Sequence, residues 1–170
     1  MGKKVYFASP WFTAAQWERE ERLKRKLRAL GYEVFSPKEA SNISGSFADQ
    51  DVQKKTFEQN ISNIDDADIL FGVTDGKLGL CTEPDKYGKP INAADSGTLV
   101  EIGYAYSSRR RTGKPYLVYY AETLGSGQFN LMLAQSGDVV ITSFEDLDNL
   151  TDYIAQIERG ERVEYKGAIE

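Results

Sequence analysis

Short runs of consecutive apolar residues alternate along this chain with longer stretches in which apolar residues recur every three or four positions. That alternation predicts strands and helices in turn. Val5-Tyr6-Phe7-Ala8 reads as a first buried strand, closed by Ser9-Pro10. Thr13 is placed to cap a helix in which Leu23, Leu27 and Leu30 fall at helical spacing and which Gly31 ends. Residues 32–35 form a second short strand, and the Ser- and Asn-rich residues 37–47 read as a loop. A second helix opens near Asp49 or Asp51, with Val52, Phe57, Ile61 and Ile64 on its apolar side. Residues 68–73 are a third strand, apolar almost throughout, as suits a parallel sheet covered on both faces. Residues 74–94 carry Gly76, Gly79, Pro84, Gly88 and Pro90 and read as a long loop, of the kind that is either functional or disordered.

A third helix opens at Ser96 or Thr98 and runs to about Arg111, with Leu99, Ile102 and Tyr106 directed inward. A fourth strand over 115–120, a short helix near 129–133 and a fifth strand over 139–141 follow. Leu147, Leu150, Ile154 and Ile157 mark a last helix, and residues 163–170 are a tail. Strands alternating with helices imply one α/β domain over residues 1–170, with a parallel sheet and right-handed crossovers. Five strands suggest the flavodoxin-like order 2-1-3-4-5, with helices on both faces. Ligands bind such sheets beyond the carboxyl ends of the strands, near the switch in strand order. Strands 1, 3 and 4 meet there, so Tyr6, Trp11, Phe12 and the start of the third helix surround one crevice.

Composition narrows the chemistry. The formal net charge is −5, which argues against a duplex-binding surface, since that needs many cationic phosphate contacts. The Arg109-Arg110-Arg111 run sits at a helix end, where it favours the dipole and reads as solvated. Cys81 is the single cysteine, so no intrachain disulfide forms and an intracellular, cytoplasmic location is expected. No apolar run approaches the roughly 20 residues of a membrane helix, and the amino-terminal residues pass directly into a strand with no signal peptide. The chain has no histidine. This removes Ser-His-Asp and Cys-His catalysis and histidine-ligated zinc, and leaves carboxylates, tyrosines and lysines to do any chemistry.

The segment Asp95-Ser96-Gly97-Thr98-Leu99-Val100-Glu101-Ile102-Gly103-Tyr104-Ala105 is the most informative. Gly97 allows close approach of a backbone or ligand. Thr98, Glu101 and Ala105 share a helix face, so Glu101 can look into the crevice. A plainer reading also fits: Thr98-x-x-Glu101 has capping-box spacing, and Asp95 is placed as a cap or turn residue. A lone carboxylate has a use in glycosyl chemistry. Placed beneath an anomeric carbon, it can trap an oxocarbenium-like centre covalently, after which a second acceptor attacks.

With these residues in view, the chain resembles the nucleoside 2-deoxyribosyltransferase family. The resemblance rests on residues 5–12, on Ile64-x-x-Ala67-Asp68, on Asp95-x-Gly97-x-x-x-Glu101-x-Gly103-Tyr104-Ala105, on Asn130-Leu131-Met132 and on Tyr165-x-Gly167-Ala168-Ile169. It implies that Glu101 is the nucleophile, that Tyr6 holds it in position and that Asp95 grips the sugar 5'-hydroxyl. It further implies that Asn130 reaches that hydroxyl from a neighbouring subunit of a homo-oligomer, and that Trp11 and Phe12 wall the base pocket. Without the resemblance, Tyr6, Trp11 and Phe12 would be read as core and Asn130 as a loop or cap residue. Deoxynucleosides and free nucleobases are the implied partners, with no metal or other cofactor. The sequence departs from the family pattern at Asn60, where an aspartate often serves protonation of the base. An amide can hydrogen-bond a base but supplies no proton at neutral pH, so the proton comes from Asp75, another residue or water.

Three functions compete. The first is transfer of the deoxyribosyl group between bases. The second is hydrolysis of a deoxynucleoside 5'-monophosphate, which Asp95 disfavours because it would repel the phosphate. The third is a non-enzymatic nucleotide-binding module, for which neither a Gly-x-Gly-x-x-Gly fingerprint nor a Gly-Lys-Ser/Thr loop is present.

Overall fold

The computed structural model describes residues 2–40, 45, 46, 48–74, 94–122, 129–167 and 169. They form strands β1 (Lys4–Ala8), β2 (Glu33–Phe35), β3 (Ile69–Val73), β4 (Tyr116–Tyr120) and β5 (Val139–Ile141). Between and after them lie helices α1 (Ala14–Ala29), α2 (Pro37–Ala40), α3 (Gln50–Asp66), α4 (Ser96–Thr112), α5 (Leu131–Ser136) and α6 (Leu150–Glu158). The strands pair in parallel in the order β2-β1-β3-β4-β5, as the alternation of strand and helix predicts. Register is set at the centre by Phe7 opposite Phe71 and Phe71 opposite Val118.

Because side chains alternate across a strand, β1 feeds two cores. Val5 and Phe7 join Leu23 and Leu27 of α1 and Ile154 of α6 on one face. Tyr6 and Ala8 join Ile64 of α3 and Ile102 and Ala105 of α4 on the other. Gly72 in β3 permits the second packing, since a Cβ there would stand 2.9 Å from Cδ1 of Ile102.

Local signals set the helix starts. Thr13 and Gln16 make a reciprocal capping box at α1, worth about 1 kcal/mol. Asp49 caps α3 through the Asp51 amide. Three expectations change. Pro37–Ala40 is one helical turn rather than loop. Phe57 is exposed on α3, whose buried residues are Val52 and Ile64. Leu99 and Tyr106 of α4 also face outward, and the buried stripe is Thr98, Ile102, Ala105 and Ser108. Thr98, Ala105 and Ser108 are small and let the helix approach the sheet with Ile102 packed between, while Leu99 and Tyr106 are left outside. The arginine run ends α4 as expected, but Arg109 is not simply solvated: it pairs with Asp138 at 2.5 Å. Among the described residues no helix is long and apolar enough to cross a membrane.

Candidate active site

Two local structures converge at the carboxyl end of β1. Tyr6 is completely buried in that strand, and its ring stacks on Phe35 of β2 with centroids 5.6 Å apart. Packing on both sides leaves the phenol little choice of direction. Its hydroxyl donates a 2.6 Å hydrogen bond to Oε1 of Glu101 in α4.

Glu101 is therefore not the carboxylate of a capping box. Asp95 is the residue that caps α4, its Oδ2 accepting from the Gly97 amide at 2.9 Å and the Thr98 amide at 3.1 Å. With the helix start satisfied by Asp95, the Glu101 side chain is released to meet Tyr6. Burial pushes the Glu101 carboxyl up to about 7, the negative charge of Asp95 adds to the rise, and the Tyr6 hydrogen bond opposes it. Burial and the adjacent Glu101 carboxylate likewise hold the Tyr6 phenol far above its ordinary range, so it remains a donor. A carboxyl poised near neutrality by desolvation and a charged neighbour is an arrangement common at catalytic sites.

Both carboxylates open onto a cavity of about 190 Å³. Its lining draws on α4 and α1, helices packed on opposite faces of the sheet. Asp95, Gly97, Thr98 and Glu101, from the start of α4, are among the residues that line it. Trp11 and Phe12 contribute an aromatic wall, their rings stacked with centroids 6.4 Å apart. The side chain of Gln16 anchors that turn by accepting from the Phe12 and Thr13 amides. Thr56 and Asn60, one turn apart on α3, also line it.

The whole-chain comparison then decides the family. The family model described as nucleoside 2-deoxyribosyltransferase matches residues 5–151. The chain belongs to the nucleoside 2-deoxyribosyltransferase family. Its fold is similar to that of a 2-deoxyribosyltransferase from Bacillus psychrosaccharolyticus, at 24% identity and a TM-score of 0.70, over 95% of this chain and 98% of that one. A conserved protein from Enterococcus faecalis is similar at 20% identity and a TM-score of 0.58, over 92% and 99%. A 2-deoxyribosyltransferase from Leishmania mexicana is similar at 18% identity and a TM-score of 0.52, over 92% and 97%. Comparison with curated protein sequences returns no match.

In this nucleoside 2-deoxyribosyltransferase family member, the cavity brings together Trp11, Phe12, Asn60, Asp95, Gly97 and Glu101, with Tyr6 behind Glu101. Asn130 stands apart from it. Its Oδ1 caps α5 through the Met132 and Leu133 amides at 2.9 and 3.4 Å, and it does not line the cavity of its own chain. Asp75 and residues 75–93 of the long loop lie outside the described residues.

The cavity also has a wall that sequence reading missed, made by Glu20 of α1 with Ser36 and Lys38 beside and within α2. Glu20 is 2% exposed, and its Oε1 accepts from Ser36 Oγ at 2.8 Å and lies 3.2 Å from Lys24 Nζ. Lys24 is itself buried and also meets Glu21 and Glu39, each at 2.7 Å. A glutamate four residues before a lysine reads as an ordinary surface pair in sequence. Only the fold of residues 36–40 over α1 turns it inward.

Proposed function

We propose that this protein transfers a 2-deoxyribosyl group from one nucleobase to another by double displacement through a glycosyl ester on Glu101. The observation that carries the reading is the hydrogen-bonded Tyr6–Glu101 pair beside the cavity, with Glu101 desolvated to near-neutral poise. A carboxylate oxygen of Glu101 attacks C1' of the bound deoxynucleoside. As that C–O bond forms, the C1'–N bond breaks and its electron pair leaves with the base, which takes up a proton. A second base then attacks C1' through a ring nitrogen, expels the carboxylate and gives up its own proton, so the overall exchange consumes none. Asn60 does not serve as the acid, because an amide has no proton to give at neutral pH. The proton passes through Asp75, another group or water.

Asp95 grips the sugar 5'-hydroxyl, and Trp11 and Phe12 hold the base between aromatic surfaces. The missing 2'-hydroxyl of the substrate matters electronically, since an oxygen there would disfavour the cationic transition state. Asn130 completes the site from a neighbouring subunit. In support, Asn130 lies off its own cavity, while Leu131 and Met132 beside it and Leu99 and Val100 on α4 are exposed apolar residues suited to a subunit contact.

The test is incubation of the purified protein with deoxyinosine and free adenine, followed by chromatography. New deoxyadenosine supports transfer. Hypoxanthine without a new nucleoside points instead to hydrolysis. Intact deoxyinosine, repeated with other deoxynucleosides and their 5'-monophosphates, overturns the catalytic reading.

A further inference from the structure

The chain has two tryptophans, and both stand at this site. Trp11 lines the cavity, whereas Trp17, in the first turn of α1, is not among the lining residues. Half of Trp17 is exposed, so it adds little to a core. It is nevertheless held at two points. Its indole N–H donates to the backbone carbonyl of Trp11. Nζ of Lys38 lies 3.6 Å from the centroid of its ring, and 3.8 Å from Oε1 of Glu21, one turn further along α1. Lys38 lines the cavity from α2. Trp17 therefore joins two parts of the cavity lining, one through its edge and the other through its face.

We infer that Trp17 is a positioning residue for the nucleobase: acting through Trp11 and Lys38, it ties the aromatic turn to α2, so that the base meets a wall already in place. The inference rests on the proposed transfer reaction, for it takes the Trp11–Phe12 surface as the one that holds the base. That turn has need of such a tie. Phe12 is 67% exposed, so packing does not fix it. Gln16 holds the Phe12 and Thr13 amides, and Trp17 holds the carbonyl before them. The other partner has the same need. A helix of four residues does not stand by itself, and a cation over an indole face adds a directed contact. A wall ordered beforehand spares the ligand the entropy of ordering it.

The two contacts can be removed separately without dismantling the fold. Trp17→Phe keeps a ring beneath Lys38 but has no N–H for Trp11. Lys38→Met keeps the length of the side chain and loses the charge over the ring. In both variants Glu39 still anchors α2 to Lys24 and Arg28 of α1, and the capping box at Thr13 and Gln16 still starts that helix. Each should therefore melt within about 3 °C of the wild type.

The experiment measures KM for the acceptor base and kcat in transfer from deoxyinosine to adenine, with calorimetric titration of adenine, hypoxanthine and cytosine alongside. The proteins are the wild type, Trp17→Phe, Trp17→Ala, Lys38→Met and the double variant Trp17→Ala with Lys38→Met. Trp17→Phe is expected to weaken base binding and raise KM about three- to tenfold, while kcat at saturation changes less than about twofold. Lys38→Met is expected to weaken binding in the wild-type background and to add nothing to Trp17→Ala, because its effect passes through the ring. Unchanged affinity in folded Trp17→Phe and Trp17→Ala overturns the inference. So does a fall in kcat as large as the rise in KM, which marks general damage to the site, and so do additive effects in the double variant, which mark a separate role for Lys38. If the wild type transfers normally, any of these results defeats the Trp17 inference alone. If the wild type binds no base and transfers nothing, the inference falls together with the transferase reading.

Discussion

The hydroxyl of Tyr6 and Oε1 of Glu101, 95 positions apart in sequence, meet at 2.6 Å at the end of the central strand. The phenol opposes the effects of burial and of Asp95 on the glutamate. Attack on C1' requires the carboxylate, so transfer should rise with pH through about 7 and level off above it. Tyr6→Phe removes the one contact among the described residues that favours the charged form and should move this limb to higher pH, with kcat reduced about 10- to 100-fold. Asp95→Asn removes a negative neighbour and should move it to lower pH. The check is a profile of kcat and kcat/KM against pH for the three proteins.

Stability should follow the same group with its own sign. Folding raises the Glu101 carboxyl from the ordinary 4.5 to about 7. Its contribution is therefore fully present below about 4.5 and is lost as pH rises through about 7. Glu101→Gln carries no such charge and keeps an oxygen for Tyr6. It should equal the wild type near pH 4 and exceed it at pH 8 by about 3 kcal/mol, or several degrees in Tm. Transfer should fall by at least about 10³-fold in the same variant. Melting curves at the two pH values and the chromatographic assay measure both.

Asp95 is a helix cap and a cavity residue at once, and two substitutions separate these duties. Asparagine caps a helix about as well as aspartate, whereas alanine costs about 1 kcal/mol. Asp95→Asn should keep the wild-type Tm within about 3 °C, while KM for the deoxynucleoside rises. Asp95→Ala should lose both stability and affinity. Equal loss of stability in the two variants would reduce Asp95 to a role in folding through its charge.

If Asn130 serves a neighbour's site, a mixture of two inactive proteins should recover activity. Glu101→Ala lacks the nucleophile, and Asn130→Ala lacks the group donated across the contact. Subunits exchanged under mild denaturant should regain a measurable fraction of wild-type transfer, since some mixed sites hold both residues. Absence of recovery in mixed oligomers verified by native mass spectrometry would place Asn130 in its own chain's chemistry or in none.

Much of this molecule is legible in its sequence, and the places where the structure differs share a cause. The strands announced themselves because a buried parallel strand needs an unbroken apolar run, as in Ile69–Val73. The helices are marked by their period, but the period does not settle which face of α4 turns inward. Size suggested Leu99 and Tyr106, but the sheet receives Thr98, Ile102, Ala105 and Ser108. The helical turn at Pro37–Ala40 reads as loop in sequence because four residues are too few to show a period. The spacing of Thr98 and Glu101 allowed a capping box, and nothing local excluded it. Asp95 won the helix start because its side chain reaches two free amides there.

The sequence by itself determined the strand order, the exclusion of histidine chemistry and the grouping of Asp95, Gly97 and Glu101, because runs, composition and short spacings are local properties of the chain. Tertiary structure alone decided the direct Tyr6–Glu101 hydrogen bond, where the resemblance had implied only a role, and that Glu20 and Ser36 face inward over Lys24. Those relations join residues on different elements. The direction of each side chain there is set by which neighbours exclude water from it, and no window along the sequence contains those neighbours.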